Sequence, residues 1–126
     1  MGLTTAATAE VAKCAINDSP TYINASNAYL GVGDSSTAFN AAQTDLQATS
    51  NKLRVGMDAT YPSRSGAAVT FRSTYSTSQA NFAWQEWATF NAPVLGVMWQ
   101  RKVESLGTKT NTQAWQLTVT ITFAAA

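Results

Sequence analysis

A mainly β protein is expected from this chain: an antiparallel β-sandwich or jelly-roll-like domain carrying a short N-terminal helical segment. Three features carry that expectation. From Gln113 to Phe123 the sequence alternates strictly, with Trp115, Leu117, Val119, Ile121 and Phe123 set against Gln116, Thr118, Thr120 and Thr122. A period of two over that length describes a strand with one buried and one polar face. Shorter runs of β-like sequence, separated by turn-forming clusters, fill the chain from Lys52 onward, whereas helix-favouring alanines gather only at its beginning. At 126 residues the chain suits one domain, which hides roughly two-thirds of its unfolded surface. Residues 1–20 read as the helical arm of that domain and residues 21–126 as its sandwich.

The elements follow in order. Thr4 to Ile16 reads as a helix that Thr4 or Thr5 can cap, with Ala6, Ala7, Ala9, Ala12 and Ala15 favouring helical backbone. Val11, Cys14 and Ala15 fall on one side, a stripe too weak to stabilise a helix alone. The segment is therefore expected to dock, on its own domain or on a neighbouring subunit, and an assembly arm that orders against another subunit or the shell is preferred. Asn17-Asp18-Ser19-Pro20 ends the helix. Tyr29 to Gly33 is a short apolar run closed by a turn at Gly33-Asp34-Ser35-Ser36, and Phe39 to Gln47 reads as one or two helical turns.

Beyond Lys52, Val69, Phe71, Ser73 and Tyr75 alternate against Thr70, Arg72 and Thr74. In Asn81 to Phe90 a simple alternation places Phe82, Trp84, Glu86 and Phe90 on one face with Trp87 opposite. Gly96 to Leu106 bears large side chains on both faces, Trp99 and Val103 against Met98 and Leu106, as a strand covered on both sides does. Turns are expected at Tyr61–Gly66, Asn91-Ala92-Pro93 and Leu106–Lys109.

Composition narrows function mainly by exclusion. Charged residues are 12% of the chain and the net charge is +1. Such a surface relies on Thr, Ser, Asn and Gln, and costs less to desolvate than one dense in Lys and Glu. No run of either sign suggests nucleic acid or an anionic membrane; Arg101-Lys102, the longest basic feature, reads as a solvated strand face. No stretch has the ~20 apolar residues of a spanning helix, and no signal-peptide pattern opens the chain. Asn17-Asp18-Ser19 and Asn24-Ala25-Ser26 fit the glycosylation acceptor pattern, which has meaning only in a secreted protein. Cys14 stands alone, so no internal disulfide forms, and a small buried hydrophobe is its expected role.

The chain has no His. That removes the commonest general base, the Ser-His and Cys-His nucleophile pairs and the commonest metal ligand. One Cys excludes thiolate zinc sites. A carboxylate pair could hydrolyse sugars, and Asp58, Glu86 and Glu104 are the acids of the β region. Only Glu86 sits among aromatics, and pairing with Arg101 or Lys102, or packing into an interface, is its favoured role. Gly31 to Thr37 lacks the Lys-Ser/Thr ending of a phosphate-binding loop and reads as a turn. No enzyme activity, catalytic residue, cofactor or metal is expected.

Several ordered segments resemble small virion proteins and fibre modules of tailed bacteriophages. They are Asn27-Ala28-Tyr29-Leu30-Gly31-Val32-Gly33-Asp34, Thr44-Asp45-Leu46-Gln47, Ala80 to Trp87, Asn91-Ala92, Arg101-Lys102 with Leu106-Gly107-Thr108-Lys109, and the Thr-rich last strand. Together they span about Asn24 to Phe123. The resemblance implies a non-enzymatic virion protein, made in the host cytoplasm. A capsid cement or decoration protein is preferred to a tail-associated adaptor or fibre tip, because only a short helix precedes the globular part. Its expected partners are the major capsid protein or other virion proteins, and further copies of itself as a trimer or dimer, with no nucleic acid and no membrane. Four Trp and four Tyr in a chain of little charge keep a carbohydrate-binding tail module as the rival.

Overall fold

The computed structural model describes residues 3–124 and is a two-sheet antiparallel sandwich with one helix. The elements are α1 (Thr5–Ile16), β1 (Tyr29–Gly33), β2 (Lys52–Gly56), β3 (Ser63–Ser65), β4 (Ala68–Tyr75), β5 (Ala83–Phe90), β6 (Met98–Thr108) and β7 (Trp115–Thr122). One sheet has the order β2-β1-β5-β6, the other β3-β4-β7. β7 fulfils its alternation: Leu117, Val119 and Ile121 are buried while Gln116, Thr118, Thr120 and Thr122 are exposed. Its inward residues meet Phe71 and Tyr75 of β4 and Leu30, Val32, Trp84, Trp87 and Trp99 of the other sheet. Trp84 lies edge-on to both Tyr75 and Trp115, with ring centroids 4.8 Å and 5.0 Å apart.

Polar ties join the sheets. Tyr75 donates its hydroxyl to the Leu30 carbonyl at 2.6 Å, and Ser73 Oγ lies 3.0 Å and 2.8 Å from the Val55 and Gly56 carbonyls. Lys109, also buried, donates its ammonium to the Ser76 carbonyl and the Asn81 side chain at 2.6 Å and 2.8 Å. Its charge replaces lost water with two oxygen acceptors instead of a carboxylate.

The strand expected over Asn81 to Phe90 forms, but not with the facing of a simple alternation. The β5–β6 register shifts between Trp84 and Glu86, at a bulge. Two steps along β5, from Trp84 to Glu86, are matched by four along β6, from Gly107 to Val103, and the side-chain phase of β5 breaks at that irregularity. Trp84 and Trp87 therefore both enter the core between the sheets, whereas Glu86, Ala88 and Phe90 face outward.

That outward face is covered by the long connection between β1 and β2, where helical turns were expected over Phe39–Gln47. No helix forms there. The Asn40 side chain accepts from the Ala42 N–H at 2.8 Å, and the Gln47 and Ala48 N–H groups are drawn to the Glu86 carboxylate. Side chains that capture backbone donors compete directly with a helical ladder. Leu46 seats this connection on Ala88, Phe90 and Met98. Gly31 lies in β1, not in a turn. A Cβ there would come within 2.9 Å of both Leu46 and Phe90, which explains a glycine in a central strand.

The N-terminal segment, expected as an arm ordering against another subunit, lies instead on its own domain. Leu3 bridges to Gln100, Thr4 donates its N–H to the Trp99 carbonyl at 3.0 Å, and its hydroxyl donates to the Met98 carbonyl. The same Thr4 oxygen caps α1 by accepting from the Ala7 N–H at 3.1 Å. Ala7 and Glu10 are buried and Val11 packs against the core, so the docked face is not the one bearing Ala15, which is exposed. Cys14 is half-buried. Among the described residues no helix is long and apolar enough to cross a membrane.

Candidate interaction site

The acids that might have formed a hydrolytic pair are kept apart. Glu86 and Arg101 are both fully buried, on the outward face of the larger sheet beneath the β1–β2 connection. Arg101 Nε donates to Glu86 Oε1 at 2.8 Å; the same carboxylate accepts from the N–H groups of Gln47 and Ala48, each at 2.8 Å. Arg101 also donates to the Gln43 side chain at 3.1 Å and the Thr37 carbonyl at 2.8 Å. Gly33 belongs to this centre, since a Cβ there would collide with the Glu86 carboxylate. Arg101 is thus enclosed and paired, where a solvated strand face had been expected; only its neighbour Lys102 is exposed.

Glu104 instead accepts from the indole of Trp87 at 3.1 Å, on the opposite side of the sheet from Glu86. Asp58 accepts from Arg72 and Thr74 at 3.0 Å and 2.8 Å. Every one of these carboxylates is held by a local donor. Among the described residues no group of three potential metal ligands occurs either.

The surface feature that stands out is the hairpin connection from Asn91 to Val97. Pro93-Val94-Leu95-Gly96 places two large apolar side chains outward, Val94 at 72% and Leu95 at 84% of full exposure. Leu95 has φ 55°, a left-handed conformation that costs a bulky residue about 1–3 kcal/mol and persists only under external bracing.

The bracing is visible. Arg54 of β2 stacks its guanidinium 3.5 Å from the centre of the Phe90 ring and donates to the Ala92 and Leu95 carbonyls at 3.0 Å and 2.9 Å. The Asn91 side chain accepts from the Val97 N–H at 2.8 Å and donates to the Thr21 carbonyl at 3.1 Å. Asp45 anchors Arg54 from the other side at 3.2 Å and meets Lys52 at 3.0 Å. Burial alone would raise the Asp45 carboxyl. Hydrogen bonds from Lys52, the Leu46 N–H and Arg54, with the Lys52 charge, outweigh it and hold the group below the ordinary carboxylate value.

Beside the loop lies a shallow hollow of about 380 Å³ walled by Leu46, Leu53, Pro93 and Val94. The arrangement presents a preorganised apolar projection beside the paired charges of Asp45, Lys52 and Arg54, a form suited to contact. Sequence reading saw only a turn at Asn91-Ala92-Pro93. The two consecutive apolar residues after a proline were the available signal, and Arg54 gave none. In comparisons with protein-family models, curated proteins and solved structures, nothing matches the chain.

Proposed function

We propose that this chain is a non-enzymatic structural protein of a tailed-bacteriophage virion, acting as a capsid cement or decoration protein that binds between capsid subunits. The observation that carries the reading is the braced Asn91–Val97 loop. A protein that holds Val94 and Leu95 in water, one of them in a strained backbone conformation, gains from that cost only when a partner covers them. Elsewhere the exposed Thr face of β7 and the small share of charge leave surface that is cheap to desolvate. The resemblance of Asn24 to Phe123 to phage virion proteins supplies the kind of partner.

The mechanism is mass action. A protein that binds only the assembled shell stabilises that shell by its binding free energy, summed over copies. A dimer or trimer touching several capsid proteins multiplies the effect through avidity. The carbohydrate-binding rival loses its main support, because Trp84, Trp87 and Trp99 lie in the core and Trp115 packs on Trp84.

The test is add-back of purified protein to undecorated particles of its phage, with antibody labelling to locate it. Wild-type protein is expected on the head, raising particle survival on heating. Leu95→Asp, at an exposed position, should weaken occupancy by about tenfold or more while leaving the melting temperature nearly unchanged. Label on the tail alone would select the adaptor or fibre-tip role, and no label on the virion would end the proposal.

A further inference from the structure

β7 is the terminal strand of the smaller sheet, and among the described residues no strand pairs with its outer edge. The Phe123 N–H donates to the Ala67 carbonyl at 3.0 Å. In that register the odd-numbered residues of β7 exchange backbone bonds with β4. Gln116, Thr118, Thr120 and Thr122 therefore turn their N–H and C=O groups to the open edge. Open edges are commonly blunted by charge, proline or a bulge. β6, the neighbouring terminal strand, is guarded in this way by Lys102 and Glu104, which meet at 3.4 Å. From Trp115 to Phe123 there is no charged residue, proline or glycine, and the register with β4 runs without a shift. This edge is left free to pair.

The strand also matches itself. Turned about a two-fold axis through Val119, a second β7 runs antiparallel to the first, with Thr118 opposite Thr120 and Gln116 opposite Thr122. These are the residues whose backbone groups face the edge, so each such pair exchanges both of its hydrogen bonds. Inward residues stay together as well: Leu117 meets Ile121, and Trp115 meets Phe123. A slip by one residue would set inward residues against polar ones. Moving the axis to Thr118 or Thr120 keeps the facing but parts Trp115 from Phe123. Trp115 is half-buried and Phe123 exposed, so the Val119 axis is the one that lets each cover the other. Charge selects the same axis. Trp99 of β6 packs on Phe123 with ring centroids 6.5 Å apart, and a Cβ on Gly107 would lie 3.4 Å from the Trp115 ring. β6 thus runs beside β7 in the opposite direction, which sets Val103 about level with Val119. Lys102 and Glu104 flank that point and are both partly exposed, so the two-fold carries Lys102 of one copy toward Glu104 of the other.

We propose that the β7 edge is a homodimer interface, in which two copies of this chain pair their β7 strands antiparallel about Val119. The smaller sheets then join into one continuous sheet of order β3-β4-β7-β7-β4-β3. Backbone bonds supply the attachment, the Trp115–Phe123 pairs close its two ends, and the Lys102–Glu104 charges fix its register. The dimer gives form to the self-association that avidity in the capsid reading calls on, but it does not depend on that reading.

Sedimentation equilibrium of the purified full chain tests it, and a monomer–dimer equilibrium is expected. Thr118→Lys/Thr120→Lys sets like charges opposite each other across the axis and should raise the dissociation constant by about tenfold or more. Thr118→Lys/Thr120→Glu sets unlike charges opposite each other at the same positions and should bring the dimer back. Both positions are exposed, so both variants should melt close to the wild-type monomer. Amide exchange on the unaltered chain gives a second measurement that needs no variant. The amide protons of Gln116, Thr118, Thr120 and Thr122 should exchange more slowly as protein concentration rises through the dimer range. A monomer at every concentration, or a trimer, overturns the proposal. So does a dimer that survives Thr118→Lys/Thr120→Lys, that fails to return with Thr118→Lys/Thr120→Glu, or that leaves those four amides in fast exchange. Because no particle enters the experiment, its failure leaves the capsid reading to be judged by add-back alone.

Discussion

A carboxylate and a guanidinium with no exposed surface persist only while each satisfies the other. Glu86 and Arg101 meet that condition together with the amides of Gln47 and Ala48. Arg101→Met would strand the Glu86 charge and should cost about 3–5 kcal/mol in urea unfolding. The double variant Glu86→Leu/Arg101→Met should cost less than Arg101→Met alone, because no buried charge remains; the reverse order would show that Glu86 stabilises the fold through the Gln47 and Ala48 amides even without Arg101. Tyr75 supplies a second residue-scale effect. Burial pushes its phenol well above the ordinary value, so the folded protein holds the neutral form. The stability gained from that form is present below about pH 10 and declines as pH rises beyond it, when the unfolded phenol ionises and the folded one does not. Alkaline titration of the melting temperature should show that decline, and Tyr75→Phe should flatten it. Asp45 works in the opposite sense. Its lowered carboxyl favours the fold above the ordinary carboxylate value, and the benefit is lost as pH falls through the lowered one.

Among the elements, β7 separates burial from exposure most cleanly. Leu117→Ala should cost about 2–5 kcal/mol through lost burial and a residual cavity. Thr118→Ala, one residue away on the exposed face, should change stability by no more than about 0.5 kcal/mol. Equal losses in thermal unfolding would mean that the polar face is covered as well. This strand was legible in the sequence because its period of two runs without interruption, and α1 was legible from its cap and alanines. β5 was legible as a strand but not in its facing, since the irregularity that sets Gln85 opposite Glu104, Ser105 and Leu106 leaves no mark in a pattern of large residues. The Phe39–Gln47 connection misled for a related reason. Its helix-compatible residues are local, whereas Glu86, the acceptor that claims its amides, lies 38 and 39 residues away from Ala48 and Gln47. The pairing of Glu86 with Arg101 was foreseen as one of three choices, beside Lys102 and an interface, but its enclosure was not. The Val94-Leu95 projection escaped because exposure is decided by tertiary bracing from Arg54 and Asn91, which no local pattern encodes.

On the scale of the whole molecule, the two sides of the sandwich are closed unequally. β2 is stitched to β4 through Ser73 and through the Asp58 N–H, which donates to the Arg72 carbonyl at 2.8 Å. At the other side β6 and β7 are both terminal strands of their sheets, with a cleft between them lined by Trp87, Glu104, Leu106 and Leu117. Leu3 and Thr4 occupy the β6 edge only near Met98, Trp99 and Gln100. A terminal strand with free backbone groups is a template for another strand unless something blunts it, and on β6 the exposed Lys102 beside Glu104 does so. The connection over the larger sheet is different again. It has no regular secondary structure, yet the amide protons of Gln47 and Ala48 are held by a carboxylate that cannot be released without opening β5 and β6. Those two protons should therefore exchange with deuterium as slowly as the strand amides around Ala88 and Arg101, while neighbouring Thr49 and Ser50 exchange freely. Site-resolved exchange would read this directly, and rapid loss at Gln47 and Ala48 would mean that the connection lifts away while the sheet beneath stays shut.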